Sequence, residues 1–243
     1  MYRPPINKIL FLDIETVPRH EQFTDMSPRW QELWDKKTEW QRHEDSPEEF
    51  YPKRAGILAE FSKVVCISAG YFADSSRKSF RVQSFYGDDE KALLTEFAQI
   101  LNRLNENFYL CAHNGREFDY PFLCRRMIAN GIPLPEILDI QGSKPWEIRH
   151  LDTLVLWRFG DYKNYTSLDL LAATLDIGSP KSDMDGSKVS EVYYREKNMK
   201  KIVEYCQADM VAVAQIYLRM CNLPLIKPRQ VEVKKKDSPP PHQ

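Results

Sequence analysis

The chain has 243 residues, of which 42% are apolar and 28% are charged. This composition is typical of a globular protein and excludes wholesale disorder. The 34 Lys and Arg residues are balanced by 35 Asp and Glu residues, which leaves a formal charge of −1. That balance excludes a protein that coats nucleic acid by bulk positive charge, but it permits a local nucleic-acid site.

The five cysteines favour a reducing compartment. Their number is odd, none forms a Cys-x-x-Cys pair, and most lie in apolar runs, as small buried residues do. The N-terminal residues contain no apolar stretch of signal-peptide length, and no run approaches the roughly 18 apolar residues of a membrane span. We therefore expect a soluble, cytoplasmic protein without membrane partners.

The N-terminal part of the chain predicts a buried strand followed by an insertion. Residues 8–17 form a nearly continuous apolar run that ends in acids, which is typical of a central strand buried on both faces. Residues 20–60 differ, because they hold three of the five tryptophans, many charges and three prolines. We predict one helix in this insertion, over residues 28–43, with Trp30 and Trp34 on the same face.

The rest of the chain predicts strands followed mostly by helices. Apolar runs bounded by polar turns indicate strands at 63–72, 79–86 and 108–112. Apolar residues at helical spacing indicate helices at 88–105, 119–130, 151–159, 167–175 and 200–220. This order predicts an α/β protein with a mixed sheet flanked by helices. We expect residues 1–222 to form one domain, and residues 223–243, which are rich in Pro and Lys, to be disordered.

The first acidic motif is Asp13-Ile14-Glu15, at the end of the first predicted strand. Alternate side chains of a strand share a face, so the two carboxylates project to the same side, about 6–7 Å apart. At an effective dielectric constant near 20 their repulsion is about 2–3 kcal/mol, and a bound divalent cation reverses its sign. The alternative is that the strand ends at Leu12 and both acids are solvated.

The second acidic motif occupies residues 114–119, between a predicted buried strand and a predicted helix. In the functional interpretation, Asp119 lies beside the end of the first strand and joins a metal cluster. Asn114 and Phe118 then line the groove entrance, with an amide for hydrogen bonding and a ring for base stacking. In the structural alternative, Asp119 is the N-cap of a helix that has Pro121 in its first turn.

The third motif pairs Tyr205 with Asp209, one turn apart on the last predicted helix. Asp209 falls at the margin of the apolar stripe of that helix. A carboxylate that faces a core needs a partner, and in the alternative interpretation a Lys or Arg supplies it.

Together the three motifs carry a family resemblance. D-x-E at a strand end, N-x-x-x-F-D at a strand–helix junction and Y-x-x-x-D on a late helix follow one another in this order. In this the sequence resembles the DEDD superfamily of 3′–5′ exonucleases, in its tyrosine-containing (DEDDy) branch. It is most similar to the PolB-type proofreading domain and to a group of stand-alone, PolB-like predicted exonucleases. The stretches YKNYTSLDLLAATLDIG and SPKSDMDGSKV are also similar to that group.

The resemblance implies a ribonuclease H-like fold with a mixed five-stranded sheet and two Mg²⁺ or Mn²⁺ ions. By this likeness Asp13, Glu15 and Asp209 hold the first metal ion. Asp13 and Asp119 serve the second, Asp119 partly through water. Tyr205 then orients the attacking water.

The activity that the resemblance implies is hydrolysis of phosphodiester bonds from the 3′ end of single-stranded DNA, releasing nucleoside monophosphates in DNA repair or proofreading in trans. Thr16, Asn114 and Phe118 are expected to hold the terminal nucleotides. Arg125 and Arg126 either reach the phosphate backbone or form a solvated face. The alternatives are an exoribonuclease and a catalytically silent nucleic-acid-binding module. A replication or repair partner is expected through the insertion or the tail.

Overall fold

The computed structural model describes residues 3–104, 106–144, 146–178 and 184–234. In these residues a six-stranded mixed sheet has the order β5-β4-β1-β2-β3-β6. The strands are β1 (Ile9–Pro18), β2 (Ser62–Phe72), β3 (Phe80–Tyr86), β4 (Tyr109–Ala112), β5 (Leu151–Asp152) and β6 (Val231–Lys234). The α/β class is confirmed, and the expected strand count of five is wrong by one.

Eight α-helical segments connect or flank the strands in the described residues. They are α1 (Pro28–Thr38), α2 (Pro47–Arg54), α3 (Glu90–Leu101), α4 (Asp119–Ala129), α5 (Thr153–Arg158), α6 (Leu168–Thr174), α7 (Val189–Glu191, continued by a π-helical turn) and α8 (Met199–Met220). None of the described helices is both long and apolar enough to cross a membrane.

Strand β1 lies inside the sheet because it is apolar on both faces. Its even-numbered side chains, such as Leu10 and Leu12, enter a core shared with α3 and α4. Its odd-numbered side chains, Ile9 and Phe11, enter a second core beneath α8. The strand is antiparallel to β2 and parallel to β4. The alternation of a strand therefore directs the odd-numbered acids that follow Phe11 to the α8 face.

The insertion after β1 folds into two helices, not the single helix that was predicted. α1 ends at Thr38, and Ser46 and Glu49 form a capping box that starts the second helix, α2. The predicted shared face is confirmed, since the rings of Trp30 and Trp34 both contact Phe61, at centroid distances of 5.6 and 5.1 Å. Trp34 is fully buried in a small core within the insertion. The insertion is therefore ordered and has a small hydrophobic core of its own.

The prediction that residues 223–243 are disordered is wrong for the described residues 223–234, which pack against the sheet and α8. Strand β6 pairs in parallel with β3, so this edge of the sheet is extended. Ile226 is buried, and the side chain of Gln215 on α8 bonds both its N–H and its C=O, each at 2.8 Å. Composition alone misses this strand because its hydrogen bonds come from β3, and the preceding Ile226 is held by α8. Residues 235–243 lie outside the described part of the chain.

Candidate active site

Strand β1 carries two acids into the space beneath α8. Asp13 and Glu15 lie on the same face, opposite Ser68 and Cys66 of β2, and the register shifts just after Glu15. One ligand atom each from Asp13, Glu15 and Cys206 of α8 lies within 4.8 Å of the others. Because β1 continues to Pro18 and Glu15 is buried, the alternative of two solvated acids beyond a short strand is wrong.

A third acid enters from α4. The pairing of β1 with β4 ends at Phe11, which opens this side of β1 to another partner. The carboxylate of Asp119 accepts a hydrogen bond from the backbone N–H of Ile14, one residue beyond Asp13. Asp119 is the first residue of α4, and Phe118 occupies the N-cap position. Asp119 is therefore tied to β1 and does not act as the N-cap.

The fourth acid comes from α8. The Tyr205 hydroxyl donates a hydrogen bond to the carboxylate of Asp209, one turn further along the helix. The charged group that acts on Asp209 is another carboxylate, Asp169. Among the described residues no Lys or Arg forms an ion pair with Asp209, so the alternative considered for this residue is not the arrangement found there. We call Asp13, Glu15, Asp119 and Asp209 the acidic cluster.

The acidic cluster is electrostatically unfavourable by itself. Burial, followed by repulsion from the other three carboxylates, raises the pKa of Asp13 well above its usual range. Burial also raises the pKa of Glu15, that of Asp119 to about 7 and that of Asp209 to about 6. Oδ2 of Asp13 is buried without a hydrogen-bond partner. Buried carboxylates need compensating charge.

The donor set fits a hard divalent cation. Mg²⁺ and Mn²⁺ prefer carboxylate oxygens, and the acidic cluster supplies four carboxylates from three separate elements. The unpartnered Asp13 oxygen provides a ligand position that no protein group satisfies. A cation there would also remove the repulsion that raises the pKa of Asp13. The residues present therefore match a metal site of the expected kind.

A groove of about 460 Å³ opens above the acidic cluster. Its lining includes Asp13, Glu15, Tyr205 and Asp209, together with Thr16 and Phe118, two of the expected substrate contacts. Asn114, the third expected contact, is not part of this lining. The remaining walls come from β1, from the insertion, from the residue after β4, from the start of α6 and the loop before it, and from α7 and the turn before it: Ile14, Pro18, Pro52, Lys53, Gly56, Ile57, His113, Tyr165, Leu168, Gly186, Ser187 and Ser190.

Asn114 shapes the loop between β4 and α4. Its backbone is left-handed, with φ +61°, and its carbonyl accepts hydrogen bonds from the N–H groups of Glu117 and Phe118. The carboxylate of Asp152 accepts from the N–H groups of Asn114 and Arg116, each at 3.0 Å. Asp152 also caps α5. The sequence does not single out Asp152, because its pattern predicts one continuous helix over residues 151–159.

The insertion forms part of the groove wall. The Thr16 hydroxyl donates a hydrogen bond of 2.6 Å to the carbonyl of Gly56, which ties the end of the insertion to β1. Arg126 supports the same region, since its guanidinium is buried, pairs with Glu90 at 2.6 Å and donates to the carbonyl of Ala59. For Arg126 both expectations, a phosphate contact and a solvated face, are therefore wrong. Neither the placement of the insertion nor this buried pair could be read from the sequence.

A family model agrees with this arrangement. The model of a family described as a predicted 3′–5′ exonuclease related to the exonuclease domain of PolB matches residues 57–226. The chain belongs to this family. The match contains the second and third acidic motifs and begins after the first, Asp13-Ile14-Glu15. Membership supports a nuclease, and it confirms the PolB-like resemblance of the motifs.

Two DNA polymerases are similar to parts of this chain. A DNA polymerase of Thermococcus aggregans is 26% identical over 142 residues, which are 53% of this chain and 8% of the polymerase. The structure of the family B DNA polymerase from the archaeon Pyrobaculum calidifontis matches with a TM-score of 0.51 and 16% identity, covering 90% of this chain and 26% of that one. The chain thus spans only a small part of each polymerase. The structural likeness supports a ribonuclease H-like fold.

Proposed function

We propose that this protein is a divalent-metal-dependent 3′–5′ exonuclease that shortens single-stranded DNA and releases nucleoside monophosphates. The observation that carries the proposal is the convergence of four carboxylates around a buried Asp13 oxygen without a partner. Family membership supports the reaction class. We place the activity in DNA repair or in proofreading in trans, in the cytoplasm. The surface of the insertion is available to a replication or repair partner.

Two cations would be held by the acidic cluster. Asp13, Glu15 and Asp209 would bind one, and Asp13 and Asp119 the other. When bound, such ions acidify the attacking water and neutralise charge on the leaving 3′ oxygen. The protein contributes the fixed positions of the ligands. The hydrogen bond from Ile14 holds Asp119 toward β1, and the hydroxyl of Tyr205 holds Asp209.

Tyr205 is proposed to orient the attacking water without removing its proton. Burial and the neighbouring carboxylates Asp209 and Glu15 raise the pKa of the Tyr205 phenol above its ordinary value. The hydroxyl is therefore protonated at neutral pH and can donate one hydrogen bond while its oxygen accepts another. Glu15, which also lines the groove, is proposed to help Tyr205 orient this water.

Thr16 and Phe118 are proposed to contact the terminal nucleotides, because both line the groove beside the acidic cluster. The half-buried ring of Phe118 packs against Phe122 at a centroid distance of 5.2 Å, which fixes its position for stacking on a base. For Asn114 we propose that its left-handed backbone positions Phe118, through the hydrogen bond from the Phe118 N–H to its carbonyl.

The test is a time course with single-stranded DNA and RNA of the same sequence, labelled at either the 5′ or the 3′ end, in Mg²⁺, Mn²⁺ or EDTA. The proposal predicts a one-nucleotide ladder from the 5′-labelled DNA and immediate release of a mononucleotide from the 3′-labelled DNA. Faster cleavage of RNA would identify an exoribonuclease. Intact substrate in both metals would support a silent binding module.

The matched control uses two acids of the same helix. Asp209→Asn removes a carboxylate of the acidic cluster, whereas Glu204→Gln changes an exposed carboxylate on α8. We expect Asp209→Asn to lower the rate by orders of magnitude and Glu204→Gln to leave it within about twofold, since only the first touches the reacting centre. Equal rates for the two variants would refute the assignment of Asp209.

A further inference from the structure

A short segment beside the groove carries three exposed aromatic rings. Phe159, Tyr162 and Tyr165 lie three residues apart in the loop between α5 and α6, and their exposed fractions are 92%, 74% and 63%. Large apolar side chains are rarely left this exposed in groups on a protein surface without a binding role. We call residues 158–166 the aromatic segment.

Both ends of the aromatic segment are attached to the groove wall. At one end, Arg158 forms an ion pair of 3.7 Å with Glu117, in the loop that precedes Asp119. At the other end, the carbonyl of Thr166 is hydrogen-bonded to a ring nitrogen of His113 at 2.9 Å, and His113 lines the groove. The segment is therefore held in place at its ends, and one of its rings, Tyr165, lines the groove.

Between these ends the backbone contains a left-handed non-glycine residue and a hydrogen-bonded turn. Phe159 adopts a left-handed conformation, with φ +46°, which is unfavourable for a bulky residue. The carboxylate of Asp161 accepts hydrogen bonds from the N–H of Lys163 and from the side-chain amide of Asn164, which fixes the following turn. The backbone is therefore strained at Phe159, and hydrogen bonds fix the turn that contains Tyr162.

We propose that Phe159 and Tyr162 form a stacking platform for unpaired bases of the nucleic-acid strand whose 3′ end occupies the groove. This inference rests on the proposed function. We infer that a nucleic-acid strand binds here because the aromatic segment is continuous with the groove: Tyr165 belongs to both. Aromatic rings bind successive bases of a single strand without sequence preference. Bases in a duplex are already stacked, so the platform selects unpaired strands.

The experiment measures binding of a fluorescein-labelled single-stranded dT12 by anisotropy, in Mg²⁺, with Asp13→Asn in every protein to prevent hydrolysis. We expect Phe159→Ala and Tyr162→Ala each to weaken binding by about fivefold or more, and the double substitution by about 25-fold or more, since one stacked base contributes at least about fivefold in affinity. Binding of a blunt 12-base-pair duplex should not change. Tyr71→Ala, at the far end of β2, is the exposed aromatic control.

A second pair of variants separates stacking from apolar contact. Phe159→Trp keeps an aromatic face and should retain the affinity, whereas Phe159→Leu keeps an apolar side chain and should lose it. Equal affinity of the two variants would overturn the platform. Circular dichroism and the melting temperature of each variant exclude misfolding as the cause of a loss.

The outcomes also separate this inference from the proposed function. If the wild-type protein degrades the DNA but the double variant binds dT12 normally, the platform is wrong and the exonuclease assignment stands. If binding depends on the two rings but the wild-type protein cleaves nothing, the platform stands and the exonuclease assignment is wrong. Absence of any dT12 binding at about 100 μM protein would overturn the platform, as would a ring-dependent interaction with duplex alone.

Discussion

Raising the pH of the metal-free protein from 6.5 to 8 increases the negative charge of the acidic cluster. The pKa of Asp119 is raised to about 7, and those of Asp13 and Glu15 are raised by burial and by their neighbours. A raised pKa means that the folded protein keeps a proton that the unfolded chain has released. The stability that this proton provides is present at low pH and is lost as the pH rises through the folded-state pKa.

The size of the effect follows from the pKa shift. A carboxyl with a folded-state pKa of about 7 and an ordinary value of 3.8 loses about 1 kcal/mol of stability between pH 6.5 and 8. For Asp119 alone this corresponds to about 2–4 °C in melting temperature for a domain of this size. The raised pKa values of Asp13 and Glu15 act in the same direction. The buried histidines oppose part of this trend. Burial lowers the pKa of His113, and that of His150 to about 4, so near pH 6.5 the unfolded chain binds protons that the folded protein does not. His150 alone therefore gains about 0.4 kcal/mol of stability between pH 6.5 and 8.

The assay is thermal unfolding in EDTA at pH 6.5, 7.25 and 8, repeated with millimolar Mg²⁺ or Mn²⁺. We expect the melting temperature to fall with pH in EDTA, and the metal to restore it more at pH 8 than at pH 6.5. Asp13→Asn should flatten the pH dependence, because it removes the most repelled charge. A melting temperature that is constant or rises over this interval, in wild type and variant alike, would refute the reasoning.

Three further substitutions test other parts of the account. Tyr205→Phe should lower kcat about 100-fold with little change in KM, since it removes a hydroxyl that orients water, and an equal kcat would contradict that role. Arg126→Met leaves the buried carboxylate of Glu90 unpaired and should cost about 3–5 kcal/mol in chemical denaturation, whereas a loss below about 1 kcal/mol would show that the pair is not important. Gly115→Ala places a methyl group 2.5 Å from a neighbouring side-chain carbon and should cost about 1–3 kcal/mol. Its control, Gly178→Ala, meets nothing within 4 Å and should be nearly neutral, so equal losses would refute the packing argument.

Local sequence patterns predicted the elements that carry the acids. The apolar run before Asp13 identified a strand buried on both faces, and the alternation of a strand placed Asp13 and Glu15 on one side. Helical spacing placed Tyr205 one turn before Asp209, and the two side chains are hydrogen-bonded. These features depend on neighbours along the chain, which is why the sequence reveals them.

Features that depend on distant parts of the chain could not be predicted. Arg126 looked like a surface cation, because its partner Glu90 lies 36 residues away. The groove wall from the insertion depends on a hydrogen bond between Thr16 and Gly56, 40 residues apart. Strand β6 is too short and polar to be identified without β3 beside it.

We propose that the acidic cluster holds divalent cations, and counting the bound ions tests this most directly. Electron paramagnetic resonance of free Mn²⁺, with thymidine monophosphate present as a product ligand, counts the ions bound to each chain. We expect two Mn²⁺ ions per wild-type chain and loss of both in Asp13→Asn, because Asp13 is the proposed ligand of both. Unchanged Mn²⁺ binding by Asp13→Asn, or no binding by the wild-type protein at millimolar Mn²⁺, would contradict it.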